Sequence, residues 1–496
     1  MKFGCVLGIV LGAGCALTQP FQSGNLVLVE VGDGVAGLSN RAAPVFLSER
    51  NPGDGSLVGS PLALSPGGAN RLTLSGVATT EGSLSRTADG KFLVVGGYGA
   101  EVGTLAVAFT TSDVVRRVVA RIDANGVVDK STALSDAYSG GNFRGAHSLD
   151  GNGFWLAGTP GDGPAASGGI RYAAKGATTS TQVLANPSDT RFVFAFQNQL
   201  YGCGIDRVLK IGQGLPVGSG ASSLLQFPAG SSSPNDVVFA SPTLAYVADD
   251  SPATSGGGIQ RWDYVGGVWS RSYTLKVSTT TGTRRIAWRV SGGGPNELFA
   301  LTTEATQNKL VRVLDVGALS SFDILATAPA RIAWRGIAFT PGGGGGSTRM
   351  LPASYTVVSG EEAGGSLESL WDIDGNVLQA FNDSATLRCE VEFEGFATGS
   401  FNRLEFVAVQ LAERGGLAVS LRLFNFTRNR YETITGATAS PTMTQLVAQA
   451  PNPVQSFVGA EGWLRARVVW SPINDEAPAV DGWLHGIDQA NWILGD

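Results

Sequence analysis

Histidine is almost missing from this chain. The 496 residues hold two, His147 and His485, and neither stands in a zinc-binding spacing such as His-Glu-x-x-His. A Ser–His–Asp hydrolase would have to use one of them, and no Gly-x-Ser-x-Gly elbow leads into a helix. Charge is sparse too: 15% of residues are ionised and the net charge is −6, so no general basic surface is available to neutralise phosphates, and nucleic acid is not an expected partner. The basic pairs Arg116–Arg117, Arg284–Arg285 and Arg428–Arg430 read as solvated strand ends or turns. Of four cysteines, Cys5 and Cys15 fall in the first apolar run, while Cys203 and Cys389 are too isolated for a disulfide framework or zinc spacing and read as small buried hydrophobes. Helical periodicity is lacking: no stretch of ~12 residues repeats apolar positions at i, i+3, i+4 and i+7 without glycine. After the N-terminus no apolar run reaches the ~18 residues that span a bilayer, so no later membrane span is expected.

The N-terminus itself has a sorting pattern. Lys2 precedes the apolar run Phe3–Ala13, and small residues Gly14, Cys15 and Ala16 follow. This order describes a signal peptide over 1–16. Cleavage after Ala16 gives a freely secreted protein. The alternative reads Leu11–Cys15 as a lipoprotein box, which would tether the chain to the cell surface through a lipid on Cys15.

What the chain has in abundance is glycine, 69 residues, between short runs of Val, Leu, Phe, Thr and Trp. That is a strand-and-turn composition, and the expected class is all-β. A motif recurs: a strand, a tight turn, then a strongly apolar strand. It begins at Gly82, Arg144, Thr190 (degenerate), Asn235, Arg285 and Arg335. The starts lie about 45–65 residues apart, the spacing of four-stranded propeller blades. Asp89-Gly90 is a strong hairpin signal because both residues tolerate the positive φ of a type I′ turn. More polar strands follow each pair, as in Arg117–Ile122 and Val127–Ser131. The last motif, Arg335–Thr340, lacks partners, whereas Leu26–Val31, Pro44–Ser48 and Ser56–Leu64 are strands without a blade. Joining them completes a blade from both ends and gives a β-propeller over 24–341 with six blades, or seven if the long first unit hides another.

Pro341 and Gly342–Gly346 open a linker expected over 342–349. Beyond it, Cys389–Glu394 alternates strictly, with Glu390, Glu392 and Glu394 on one face and Val391 and Phe393 on the other. Further strands at Leu404–Gln410, Leu417–Phe424, Trp463–Trp470 and Asp488–Leu494 suggest an antiparallel β-sandwich of jelly-roll type over 350–496.

The stretch Ala248–Trp262 and the opening Gly24–Gly32 resemble a group of uncharacterised secreted bacterial β-propeller proteins. Gly365–Leu370 and Ile487–Trp492 are similar to a β-sandwich (jelly-roll-like) module of exported proteins from environmental bacteria. The resemblance implies fold and location and carries over no functional residue.

Few residues stand out chemically. His147 falls in an expected innermost strand, where its ring could face the channel. Trp288 and Trp334, like Trp262 and Trp269, offer stacking platforms or fill gaps between blades. With His147, Trp288 and Trp334 form the ligand-binding candidates. Asp249 and Asp250, before a Gly-Gly-Gly turn, are the candidates for Ca²⁺, the one cofactor considered; Asp372–Asn376 reads as a hairpin turn that faintly echoes a calcium loop. The favoured function is a secreted or cell-surface binding protein, its propeller a rigid platform and its sandwich a carbohydrate-binding module, with an extracellular polysaccharide or protein as partner. No catalytic residue is assigned. The alternative is an extracellular hydrolase or lyase on the propeller's central face.

Overall fold

The computed structural model describes residues 20–65, 71–161, 167–196, 199–227, 233–241, 243–290, 295–342, 348–370, 377–397, 401, 403–414, 417–473 and 483–495. The expected signal peptide over 1–16 (with Cys15), the core of the Gly-rich run and Asp372–Asn376 lie outside the described residues. The chain is all-β, with antiparallel sheets joined by turns and a few short 3₁₀ segments. No described helix is long and apolar enough to cross a membrane.

Six sheets of four strands occupy the chain up to Phe339. Sheet I joins both ends of that region: Ala333–Phe339 pairs with Leu26–Val31, followed outward by Val45–Arg50 and Leu57–Ala63. The register sets Leu26 opposite Phe339 and Val29 opposite Gly336. Sheets II to VI each use four consecutive strands, and their first strands are Leu84–Arg86, Phe143–His147, Phe192–Phe196, Pro234–Ser241 and Thr283–Val290. The motif at Thr190, degenerate in sequence, forms the same hairpin as the others, with Phe192 opposite Cys203.

The strand gradient has a packing cause. First and second strands are largely buried on both faces because each sheet packs against two others, so apolar residues dominate the second strands, while first strands such as Thr283–Val290 also carry arginine. In Leu26–Val31, Val27, Val29 and Val31 pack with Leu93, Val95 and Val118 of sheet II, while Leu26 and Leu28 pack with Phe299 and Leu301 of sheet VI. Comparable clusters link II with III, III with IV, IV with V and V with VI. Outer strands such as Leu57–Ala63 and Phe322–Thr327 meet water along much of their length. Where sheets I and II approach, a Cβ on Gly336 would lie 2.3 Å from the Gly82 carbonyl oxygen and 2.8 Å from the Leu84 backbone nitrogen and Cβ.

Residues from Thr348 onward form two further sheets with a core of their own. The stretch expected as linker already turns to strand at Thr348, which pairs with Leu494. Sheet VII runs Glu361–Gly364, Leu378–Phe381, Leu484–Gly495, Arg403–Ala412 and Thr444–Gln449, with Thr348–Met350 beside the long strand. Sheet VIII runs Ser354–Ser359, Cys389–Phe396, Trp463–Pro472, Leu417–Asn425 and Arg430–Thr438. Phe393 of VIII meets Phe406 of VII at 5.5 Å between ring centroids, and Trp470 Nε1 donates to Gln410 Oε1 at 3.0 Å.

Candidate functional site

The residues singled out in the sequence are spread over several sheets. His147 ends the first strand of sheet III; it is buried, its Nε2 has no hydrogen-bond partner among the described residues, and burial pulls its pKa down to about 4. Trp288 is half-buried in the interface of sheets V and VI and donates from Nε1 to Asn296 Oδ1 at 2.8 Å. Trp334 belongs to the VI–I interface, is only 2% exposed and donates to Glu30 Oε1 at 3.0 Å, with the Arg50 guanidinium 5.1 Å from its ring centre. The two indoles therefore serve different interfaces. Trp262 and Trp269 pack between sheets IV and V.

Asp249 accepts the Ser233 and Ser251 N–H groups, each at 2.9 Å, and Gln260 Nε2 at 2.7 Å. Its carboxylate pins the loop at the strand end. Asp250 faces two guanidiniums, Arg191 and Arg284, each at 3.6 Å. A cation placed there would meet their repulsion. Among the described residues no group of three His, Cys, Asp or Glu side chains is placed to hold a metal.

Three arginines of the basic pairs are not solvated: Arg117, whose neighbour Arg116 is exposed, and both Arg284 and Arg285. Arg117 is fully buried, with its guanidinium donating to the Val115, Thr110 and Tyr138 carbonyl oxygens at 2.6–2.8 Å. Arg284 and Arg285 are buried at the head of the first strand of sheet VI. Residue type alone gave the charge and not the burial, which neighbouring segments supply: loop carbonyls around Arg117, and the strands flanking Arg284 and Arg285. Arg428 and Arg430 are exposed, as read.

Arg284 and Arg285 belong to a larger set. Arg144, Arg191 and Arg335 also stand at or beside the heads of first strands, in sheets III, IV and I. The signal was present in the sequence, since three of the six repeats begin with Arg144, Arg285 and Arg335. Arg144 pairs with Asp189 and also donates to the Thr190 carbonyl oxygen at 3.2 Å. Arg191 donates to Ser233 Oγ at 2.7 Å. Arg285 reaches two backbone oxygens, Asn235 at 2.6 Å and Thr80 at 2.7 Å, and Arg335 reaches Gly76 at 2.9 Å. Burial, and then the neighbouring guanidiniums, pull Arg335 down to about 9, and burial pulls Arg285 down to about 10. Two buried acids lie among them. Burial raises the pKa of Glu81, which accepts from Tyr98 Oη at 2.5 Å and Asn142 Nδ2 at 2.7 Å. Asp236 is raised to about 7, again by burial.

The second notable surface is the outward face of sheet VIII. Alternation places Glu390, Glu392, Glu394 and Phe396 outward from one strand, and Trp463, Arg465 and Arg467 outward from the next. Arg467 donates to Glu392 at 2.6 Å and Glu390 at 2.5 Å, and its guanidinium lies 3.9 Å from the centre of the Tyr431 ring. Tyr431 Oη donates to Glu392 at 2.5 Å, and Arg465 pairs with Glu394 at 2.9 Å. At the end of this ladder Phe396 and Trp463 face each other across the strands, ring centres 5.9 Å apart and planes at 90°. Both remain about 40% exposed (41% and 40%).

No family model matches this chain, and no curated protein matches it. Solved structures do, at low similarity. A protein from Lactobacillus plantarum is 12% identical over 87% of this chain and 100% of its own, with a TM-score of 0.33. A family 61 carbohydrate-binding module solved with β-1,4-galactotriose is 9% identical over 29% of this chain and 90% of its own, TM-score 0.20. A family 29 carbohydrate-binding module from Piromyces equi is 9% identical over 30% and 86%, TM-score 0.19.

Proposed function

We propose that this chain is an exported, non-enzymatic binding protein that takes carbohydrate on the outward face of sheet VIII. In this reading residues 24–341 form a six-bladed β-propeller whose first blade is closed by Ala333–Phe339, and residues 350–496 form an antiparallel β-sandwich. The cyclic sharing of interfaces, I with II through to VI with I, supports the propeller. The shared core of sheets VII and VIII supports the sandwich. Export rests on Lys2 and the apolar run that follows it.

The observation that carries the ligand class is the half-exposed Trp463–Phe396 pair beside a fixed Glu–Arg–Tyr ladder. Sugars present an apolar C–H face and a rim of hydroxyls. An exposed indole stacks on the first, and carboxylates and guanidiniums held by one another meet the second without a further ordering cost. The test is a glycan array and soluble-polysaccharide screen with the full chain and Trp463→Ala. Saturable binding weakened on the order of tenfold by the substitution is expected for a central stacking residue. Binding that Trp463→Ala leaves unchanged, or none to any glycan, would overturn the assignment.

One observation favours the alternative, a hydrolase or lyase of the central face: Asp236, with its pKa near 7, sits among arginines. Turnover of a polysaccharide abolished by Asp236→Asn would decide for it.

A further inference from the structure

The arginines at the heads of the first strands are more numerous than the acids that touch them. Five guanidiniums, those of Arg144, Arg191, Arg284, Arg285 and Arg335, have two carboxylates within ion-pair distance, Asp189 and Asp250. Arg284, Arg285 and Arg335 are 8%, 0% and 2% exposed. Among the described residues Arg335 and Arg285 have no acid within ion-pair distance; the buried carboxyls of Glu81 and Asp236 act on them from farther off, and their direct tethers are neutral backbone oxygens. The Nε atoms of all five, and Nη1 of Arg335, are buried with no hydrogen-bond partner among the described residues. An unmet buried donor destabilises the fold, more so when charged, and native proteins rarely leave several together.

The cluster is one site. Arg335 feels the charges of Arg284 and Arg285 at its end of sheet I, and Arg284 feels that of Arg191. Arg191 and Arg284 share Asp250. Arg285 crosses to the Thr80 carbonyl oxygen of the segment entering sheet II, next to buried Glu81. Arg144 and Arg191 keep 12% and 14% side-chain exposure, which leaves the rim open to solvent.

We propose that this cluster binds a small oxyanion: the carboxylate, sulfate or phosphate group of a ligand. The unpartnered guanidinium N–H groups are donors, so a ligand that meets them must supply acceptors. The five positive charges outnumber the acids among them, Asp189, Asp250, Glu81 and Asp236, so a neutral acceptor such as water would satisfy the hydrogen bonds and leave the excess charge. A guanidinium fork matches a carboxylate or tetrahedral oxyanion through two parallel N–H bonds. A nucleic acid backbone would need a long basic track, which a chain of net charge −6 with one buried cluster does not offer. The site shares no residue with sheet VIII and stands whether or not that face binds sugar.

Equilibrium dialysis of the full chain at fixed ionic strength, with labelled inorganic sulfate, inorganic phosphate and glucuronate as separate probes, tests it. One saturable equivalent per chain is expected for at least one probe, and the probe that binds identifies the carrier chemistry. Arg335→Met and Arg284→Met should each weaken it at least tenfold, with Arg430→Met, on an exposed strand end, unchanged. No saturable binding of any probe, or binding that both substitutions leave intact, overturns the proposal. Because a variant could misfold, crystals of the unaltered chain soaked in selenate provide a second reading. An anomalous peak within hydrogen-bond distance of Arg335 Nη1 is expected, and its absence at an occupied stoichiometry refutes the site.

Discussion

Replacing Gly336 by alanine isolates the approach of sheets I and II. The position has no left-handed backbone, so alanine meets no conformational penalty and any effect is steric. The new Cβ would stand 2.3 Å from the Gly82 carbonyl oxygen and 2.8 Å from both the Leu84 backbone nitrogen and Cβ. These neighbours are backbone or backbone-bound, so relief requires moving one first strand against another. Overpacking of this kind costs about 1–3 kcal/mol, and backbone obstruction on three sides argues for the upper half of that range. At about 2–4 °C per kcal/mol, the melting transition of this part should fall by roughly 4–12 °C. Gly37 is the control: a Cβ there meets nothing within 4 Å, and Gly37→Ala should be neutral or stabilise by up to about 1 kcal/mol through the unfolded chain. Both variants would be compared by calorimetry and by urea titration followed through tryptophan fluorescence. If Gly336→Ala melted with Gly37→Ala, the close packing of sheets I and II would be refuted, and with it the closure of the first sheet by Ala333–Phe339.

Other consequences concern buried titratable groups. His485 is buried against Trp470, ring centres 4.8 Å apart, with both nitrogens unpartnered among the described residues and its pKa pulled down to about 4 by burial. The unfolded chain, with a histidine pKa near 6.5, then binds the proton more readily, so stability is fully present above about pH 6.5 and is lost as pH falls toward 4, by up to about 3 kcal/mol. His485→Phe keeps the stacking and should remove this loss; the difference between the two proteins' urea midpoints across pH 4–7 cancels other titrations, including the opposite-signed one of Asp236, and a flat difference would refute the assignment. Cys203 and Cys389 are buried free thiols whose pKa values burial raises, that of Cys389 to about 12. Neither should react with an aromatic disulfide reagent at pH 8 in the folded protein, and both should in urea, as peptide mapping would establish; rapid labelling of either in the native state would contradict the packing.

Legibility differed by level. Strands that carry their own pattern were readable. Leu26–Val31 and Arg335–Thr340 stood out as continuous apolar runs because both faces are buried, and Cys389–Glu394 because one face is. Strands that only border a sheet were not: Arg430–Thr438 and Thr444–Gln449 alternate weakly, since much of their surface meets water. The Phe396–Trp463 pair was hidden for another reason. Its members are 67 positions apart, and only the register of two strands sets them opposite.

By itself the sequence determined the all-β class, the repeat and the pairing of both ends in sheet I, because these follow from local periodicity and turn chemistry. Tertiary structure decided the environment of each polar side chain. Arg428 and Arg285 are the same residue type in similar charge pairs, yet one lies in water and the other is fully buried against neighbouring strands. Burial, and the charge left unmatched by it, depends on what other segments bring to the same place, and no single stretch of sequence contains that.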